Sequence, residues 1–308
     1  MIKYLLVLSI LIIIFENSFC FAEDLSKNNE DKYNFTARTF LKIPTLHANI
    51  KDKNDKFNLD YSPNVNLQAG IGGTVYDFGA SLSFNLPMDQ ERIDKYGKTQ
   101  YFDFQLYYVN EHFGMDFYLQ AYQGFYLEKN DIINKREDIL LAKTGINYFY
   151  IFNENFSLKA GIDQSKNQKT SEHSWLILSG IDLFGLYSPN NLIPEKYNNN
   201  NEYYYLGGRY YTVSIAPGYG YITKNDGFFF TGIAFLGIGI QYRNNFFEEE
   251  IKDFGMSFKL NIKLSTGYNG KRFYGGIFAA VDFNDAILDE IDVSGNTMNI
   301  ELFFAYRF

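Results

Sequence analysis

Apolar and polar residues alternate one by one along most of this chain, and that period of two limits its fold more than any other feature. Successive side chains of an extended strand point to opposite faces, so sustained alternation describes strands with one apolar and one polar side. Val65, Leu67, Ala69 and Ile71 fall on one face, with Asn64, Asn66, Gln68 and Gly70 on the other. Phe78, Ala80, Leu82 and Phe84 oppose Ser81, Ser83 and Asn85, while Phe102, Phe104, Leu106 and Tyr108 oppose Tyr101, Asp103, Gln105 and Tyr107. The same rhythm runs through 113–121, 156–162 and 254–264. Runs of about ten residues exceed the usual strand of a soluble sandwich and suit a tilted strand crossing a hydrocarbon layer.

No comparable signal exists for spanning helices. The apolar stretch 228–240 contains Gly232, Gly237 and Gly239, so it is too short and too glycine-rich to span as a helix. A second apolar run, 5–15, follows Met1-Ile2-Lys3-Tyr4 and leads to Cys20-Phe21-Ala22. One cation, a short apolar core and a small-x-small ending predict a secretory signal peptide over 1–22, cleaved after Ala22. Residues 23–32 then form a short polar segment, and 33–308 a single domain. The one Cys lies in the part expected to be removed, so neither a disulfide nor a Cys-ligated metal is expected. Aromatics at 19% exclude a disordered chain, and a net charge of −8 argues against nucleic acid as a partner. Mean hydropathy of −0.24 is too polar for a bundle of membrane helices.

A sheet facing lipid must satisfy its backbone hydrogen bonds internally, which requires closure. The expected fold is therefore all-β, a transmembrane antiparallel up-and-down β-barrel in the cell outer membrane, with outer-membrane lipid as its surroundings. Polar, turn-rich segments at 52–56, 88–98, 128–138, 244–253 and 284–295 alternate with short turns at 110–112, 153–155, 224–227 and 268–271. Such alternation matches long external loops and short periplasmic turns. The final run Ile300, Leu302, Phe304, Tyr306 and Phe308 resembles the terminal signal read by barrel-assembly machinery, making Phe308 the expected assembly signal and that machinery a partner. Candidate strands fall at 33–50, 64–76, 78–87, 99–109, 113–127, 139–151, 156–165, 173–186, 204–221, 227–242, 253–267, 272–283 and 297–308. That count is odd, whereas single-chain bacterial barrels are even. About fourteen strands result if one is hidden within 166–221, and twelve if the Pro44 segment does not span; fourteen is preferred.

With lipid outside, the polar series points inward: Lys98, Asp103, Asp116, Lys259, Lys263 and Glu301, accompanied by Lys143, Lys159, Asp163, Gln68, Gln105, Gln120 and Asn147. They can line a porin-like passive pore for a small solute, the preferred reading, or neutralise one another in a non-conducting structural or surface-interaction barrel. The Tyr-rich stretch 203–221 is expected to form part of an interfacial aromatic girdle. A barrel-embedded lipid hydrolase would need Ser, His and an acid at one rim. Ser171, Glu172, His173 and Ser174 supply the types, yet neighbours in a strand point to opposite faces, so no enzyme is expected. Gly97-Lys98-Thr99 lacks the upstream glycine and following helix of a phosphate loop, and Glu248-Glu249-Glu250 reads as a solvated run. No cofactor and no metal site is expected.

Several motifs carry a family resemblance. Tyr61-Ser62-Pro63-Asn64, the glycine-rich strand to Gly73, Phe84-Asn85-Leu86-Pro87, Lys95-Tyr96-Gly97-Lys98-Thr99 and Tyr101–Gln105 belong to it. So do Asp116-Phe117-Tyr118, Gly124-Phe125-Tyr126-Leu127, 155–160 and Gln168-Lys169-Thr170-Ser171. Together they resemble the domain-of-unknown-function family numbered four-four-two-one, exported bacterial proteins of similar length. The resemblance covers nearly all of the mature chain and departs at Glu172-His173, where small residues are expected. It implies an outer-membrane barrel and supplies no substrate. Lys98, Asp103 and Asp116 form the one polar cluster it offers.

Overall fold

The computed structural model describes residues 34–52, 56–129, 132–166, 168, 170–197, 204–286 and 291–308. The expected signal peptide and Tyr203 lie outside them. Among the described residues thirteen strands form: β1 (Phe35–Asp52), β2 (Asn58–Ser62), β3 (Gln68–Val75), β4 (Phe78–Asn85), β5 (Gln100–Val109), β6 (Phe113–Lys129) and β7 (Ile132–Ile151) come first. After them come β8 (Glu172–Tyr187), β9 (Gly207–Asn225), β10 (Phe228–Phe246), β11 (Glu250–Asn269), β12 (Phe273–Ala286) and β13 (Ile291–Arg307). A short helix, α1 (Gln90–Tyr96), sits between β4 and β5. All pairings are antiparallel, and β13 returns to β1 from Thr36↔Arg307 to Asp52↔Ile291, closing the barrel.

The barrel does not have the same circumference at its two ends. Near the chain termini the ring runs β1-β3-β4-β5-β6 and on to β13, which is twelve strands. At the opposite, loop end β2 pairs directly with β6, so β3, β4 and β5 drop out and ten strands remain. Both neighbours of this branch must change partner partway along. β6 leaves β5 after Gln123↔Gln100 and meets β2 at Tyr126↔Ser62, with a register irregularity between Gln123 and Phe125. Gly124 occupies the irregularity at φ 93°, and a Cβ there would lie 2.3 Å from the Lys98 carbonyl oxygen. β1 leaves β3 after Lys42↔Gln68 and meets β2 from Ala48↔Tyr61. Pro44 falls in that gap, where a residue without an N–H is tolerated because one ladder is interrupted. Pro44 thus lies within a spanning strand.

Twelve, the lower of the two counts the sequence allows, is the number at the terminal end, for a different reason from the one expected. The segment 156–165 is not a strand: its centre is a π-helical turn, Lys159–Asp163, followed by Gln164 at φ 57°. β7 and β8 pair directly from Leu140↔Tyr187 to Ile151↔Leu176, leaving no position between them for another strand. The alternation of Phe156, Leu158 and Ala160 instead wedges these side chains into the barrel interior. Segments 128–138 and 244–253 also differ from expectation, because strand pairing extends into them, as far as Lys129↔Ile132 and Phe246↔Glu250.

The outer wall is apolar. On β10, Phe230, Leu236, Ile238 and Ile240 are exposed, and on β11 so are Phe254, Met256, Phe258 and Leu264. From Phe230 to Ile240 the rise is about 33 Å along the strand, or roughly 25 Å at the usual barrel tilt. Aromatic rings touch across strands at the terminal end: Phe78–Tyr108, Tyr108–Phe113, Phe113–Tyr148, Trp175–Tyr219, Phe228–Tyr268 and Phe273–Tyr306. At the loop end Tyr211, Tyr242 and Phe254 form a shorter row. Replacing Gly124 by Ala should destabilise the refolded barrel by about 1–3 kcal/mol, as expected for a side chain forced into a disfavoured backbone region. Gly232→Ala on the outer wall, where nothing lies closer than 3.5 Å, should leave the urea midpoint nearly unchanged.

Candidate functional site

The candidate site is the barrel interior, which is stratified into three levels. At the terminal end, Phe149, Leu176, Leu178, Ala216, Ile222, Ile233 and Phe235 pack around Phe156, Leu158 and Ala160 of the insert between β7 and β8. Polar bonds hold this insert. Arg307 donates from Nη2 to the Gln164 carbonyl at 2.7 Å, from Nε to the Ser165 carbonyl at 2.7 Å and from Nη1 to the Gly270 carbonyl at 2.8 Å. Gln164 Nε2 donates to Ser265 Oγ at 3.0 Å.

At mid-height, five ion pairs stand among the described residues. Lys259 Nζ lies 2.7 Å from Asp182 Oδ2, Lys143 Nζ 2.6 Å from Asp282 Oδ1, and Lys263 Nζ 3.2 Å from Asp116 Oδ2. Lys42 pairs with Asp103, and Arg38 with Glu301. Neutral groups link these pairs: Lys259 donates to Asn147 Oδ1 at 3.1 Å, Asn147 to Asp116 Oδ1 at 2.7 Å, and Tyr118 to Asp182. The network is dry at its centre, with the Lys259 side chain 0% and that of Asp182 2% exposed. Gly180 leaves the space it needs, since a Cβ there would lie 2.8 Å from Asn147 Oδ1 and 2.9 Å from Lys259 Nζ. Two of the pairs cross the lumen. In the order β6-β7-β8-β9-β10-β11-β12, Asp116 on β6 and Lys263 on β11 stand five strands apart, as do Lys143 on β7 and Asp282 on β12. Half of the twelve-strand circumference is six, so both pairs are nearly diametric struts.

At the loop end a second apolar layer follows: Leu46, Ile50, Leu59, Tyr61, Tyr122, Phe125, Leu127, Leu192, Tyr205 and Tyr210. Tyr205 and Tyr210 therefore do not join the expected girdle. They are buried, with hydroxyls 2.7 Å apart, and Tyr210 donates to Asn245 Oδ1 at 2.8 Å. Tyr211, Tyr219 and Tyr221 on β9 do face outward, and Tyr204 is exposed at the loop end. Above this layer Arg136 ties the β8–β9 connection down, donating to both Asp138 oxygens, to Ser188 Oγ and to the Asn190 and Asn191 carbonyls. Burial alone would raise the Asp138 carboxyl, but hydrogen bonds from Arg136, Ser188 and Asn190, with the Arg136 charge, hold it well below the usual carboxylate range.

Five of the six expected inward residues, Asp103, Asp116, Lys259, Lys263 and Glu301, sit in the network. Lys98 does not: it is exposed in the segment between α1 and β5, so the cluster of Lys98 with Asp103 and Asp116 does not form. Asp103 instead accepts from Lys42 and from Tyr101, the latter at 2.6 Å. Lys159 binds Asp77 at a terminal-end turn. Sequence reasoning missed Arg38, Lys42, Asp182 and Asp282; their signal was an inward parity matching one opposite charge each. Ser171, Glu172 and His173 diverge, with Ser171 accepting from the Lys224 amide, Glu172 from Asn153 and Thr170, and His173 Nδ1 lying 2.8 Å from Tyr219 Oη. A further group, unforeseen, joins His47 Nδ1 to Asp60 at 3.2 Å and Ser62 at 3.1 Å. Both oxygens converge on the same ring nitrogen, so the imidazole does not bridge acid and hydroxyl as a proton relay requires. Phe308 ends the chain on the outer wall, exposed, with its amide donating to the Phe35 carbonyl at 2.9 Å.

Several of the motifs that carry the family resemblance meet beside the branch. Asn64 receives a hydrogen bond from Arg92 Nε and donates to the Gly97 carbonyl, and its amide donates to Thr99 Oγ1. Thr99 donates in turn to the Gly124 carbonyl, and Gln68 Nε2 to Asn85.

Lys259→Met should destabilise the barrel by about 3–5 kcal/mol in denaturant unfolding, because Asp182 is left as a buried charge without its cation. Lys252→Ala, which breaks a pair whose members are both more than half exposed, should change little. Asp138 with a lowered folded pKa contributes stability that is complete above the unfolded carboxylate value of about 4 and is lost as pH falls through the folded value. The gap in urea midpoint between wild type and Asp138→Asn should therefore be constant at neutral pH and narrow below about pH 4.

The family model described as Domain of unknown function (DUF4421) matches residues 28–308. No curated protein matches the chain. Among solved structures, the outer membrane protease OmpT of Escherichia coli is 8% identical, with 92% of this chain and 99% of that one covered at a TM-score of 0.40. The β-domain of the Bordetella autotransporter BrkA is 10% identical, with 89% and 100% covered at a TM-score of 0.41. Neither likeness bears on what this chain does. The chain belongs to the DUF4421 family.

Proposed function

We propose that this protein is an integral outer-membrane β-barrel that does not conduct, a closed scaffold whose loop end meets a partner outside the cell. Its exposed wall supports the membrane assignment: an apolar band roughly 25 Å tall, flanked by aromatic rows, is what a hydrocarbon layer with two interfaces selects. Export by a signal peptide cleaved after Ala22, and recognition of the last strand through Phe308 by barrel-assembly machinery, belong to the same reading. The single observation that carries non-conduction is the mid-height network. Its two nearly diametric ion pairs and its water-inaccessible Lys259–Asp182 pair stand where a pore needs a hydrated path. Apolar layers above and below act in the same direction, and the charges neutralise one another instead of facing a channel. A passive pore for a small solute, favoured by the polar inward series alone, has no such support. No catalytic role is assigned.

Residues 23–308, refolded and confirmed by a heat-modifiable gel band, should be silent in a planar bilayer. Stepwise conductance that shifts on neutralising Lys259 or Lys263 would establish an open lumen and overturn the proposal.

A further inference from the structure

An open groove of about 710 Å³ lies at the loop end, between the β6–β7 hairpin and the segments that follow β8 and β10. That size lies within the range of small-ligand sites. We infer that this groove binds a neutral sugar chain, an inference that rests on the reading that the loop end faces the outside. Its floor is pre-formed, because Arg136 fastens Asp138, Ser188, Asn190 and Asn191 together by five donated bonds. A floor ordered before binding spares the ligand that ordering cost. Around it stand Asn134, Lys135, Asn190, Glu195, Tyr204 and Glu248.

The lining fits hydroxyl groups better than ions. Arg136 and Asp138 cancel each other and Lys135 donates to the Asp94 carbonyl, so the charges left at the rim are the exposed carboxylates of Glu195 and Glu248, which repel a polyanion. Sugar hydroxyls donate and accept at once, and an amide beside a carboxylate offers both complements. Asn134, Glu195 and Glu248 are exposed at the rim, free of the floor's bonds to Arg136. Tyr204, 41% exposed, presents a flat apolar ring to the C–H face of a pyranose, with its hydroxyl available to a ring substituent.

The test is saturation-transfer NMR and titration calorimetry on the refolded mature barrel in micelles. The probes are neutral trisaccharides of glucose, mannose, galactose and N-acetylglucosamine, with trilysine and a sulfated trisaccharide as ionic controls. At least one neutral trisaccharide should bind, and Tyr204→Ala combined with Glu248→Gln should weaken it by about tenfold or more, the loss typical of removing an anchoring side chain. Unchanged heat-modifiable mobility of that variant shows it still folds; if it does not fold, Asn134→Ala takes its place with the same expectation. Binding of none of the neutral sugars by a folded barrel, binding only of an ionic probe, or binding indifferent to the folded variant would overturn the inference. Conductance of the same preparation is read separately. A sugar-binding barrel that conducts sinks the closed-barrel reading alone, and a silent barrel without sugar binding sinks the groove alone.

Discussion

Everything in this structure depends on a hydrogen-bond ladder that closes around a wall whose outside is apolar. Backbone amides and carbonyls facing such surroundings have only one another as partners, so the sheet has to close, and β13 pairs with β1 along nearly its whole length to do so. Closure of that kind usually fixes one strand number for the whole wall. Here the wall carries two rings, twelve strands at the terminal end and ten at the loop end, without leaving an open edge. Gly124, with its positive φ, and Pro44, in the gap of the β1 ladder, are the positions at which neighbouring strands exchange partners. Polar groups beside the exchange are met locally, the Gly124 carbonyl by Thr99 and the Gly97 carbonyl by Asn64.

Closing the wall creates an interior, and the chain fills it. Wedging Phe156, Leu158 and Ala160 between the strands removes apolar surface from water at one end, and the Tyr- and Leu-rich layer does so at the other. Between them lies a layer in which buried charge is tolerated because cations and carboxylates stand in pairs. A buried pair gains little net stability over an apolar pair of the same size, whereas a missing partner leaves a large penalty. That asymmetry suits a layer that fixes which strands stand opposite each other. The struts from β6 to β11 and from β7 to β12 are satisfied only when the barrel has closed in register. Arg307, at the end of β13, binds two carbonyls of the insert and one of the β11–β12 turn, and so links closure of the wall to closure of the terminal end.

Outside the apolar band the demands change. The β6–β7 and β10–β11 hairpins continue into water with polar side chains, and the Arg136 cluster holds the β8–β9 connection against them. This rigid, polar, mixed-charge end is the part of the molecule free to differ from a bare membrane-spanning wall, and it is where recognition is assigned.

Much of this was legible in the sequence. The period of two determined the strands, their faces and the outward series from Ile300 to Phe308, because in an extended chain parity alone decides which face a side chain takes. The inward parity of Asp103, Asp116, Lys259, Lys263 and Glu301 followed for the same reason. Parity does not report what lies across a lumen, so Lys42, Asp182 and Asp282 could not be matched to their partners, and a polar lining could not be told from a neutralised core. Nor does a short alternating run distinguish a strand from a compact insert: 156–165 has the right rhythm, but direct β7–β8 pairing leaves it no place in the wall. Lys98 belongs to a segment with no alternation to orient it, and the tertiary structure puts it in solvent. Strand number, the branch and the filled interior are decided by contacts between residues far apart in the chain, and local periodicity carries no information about those.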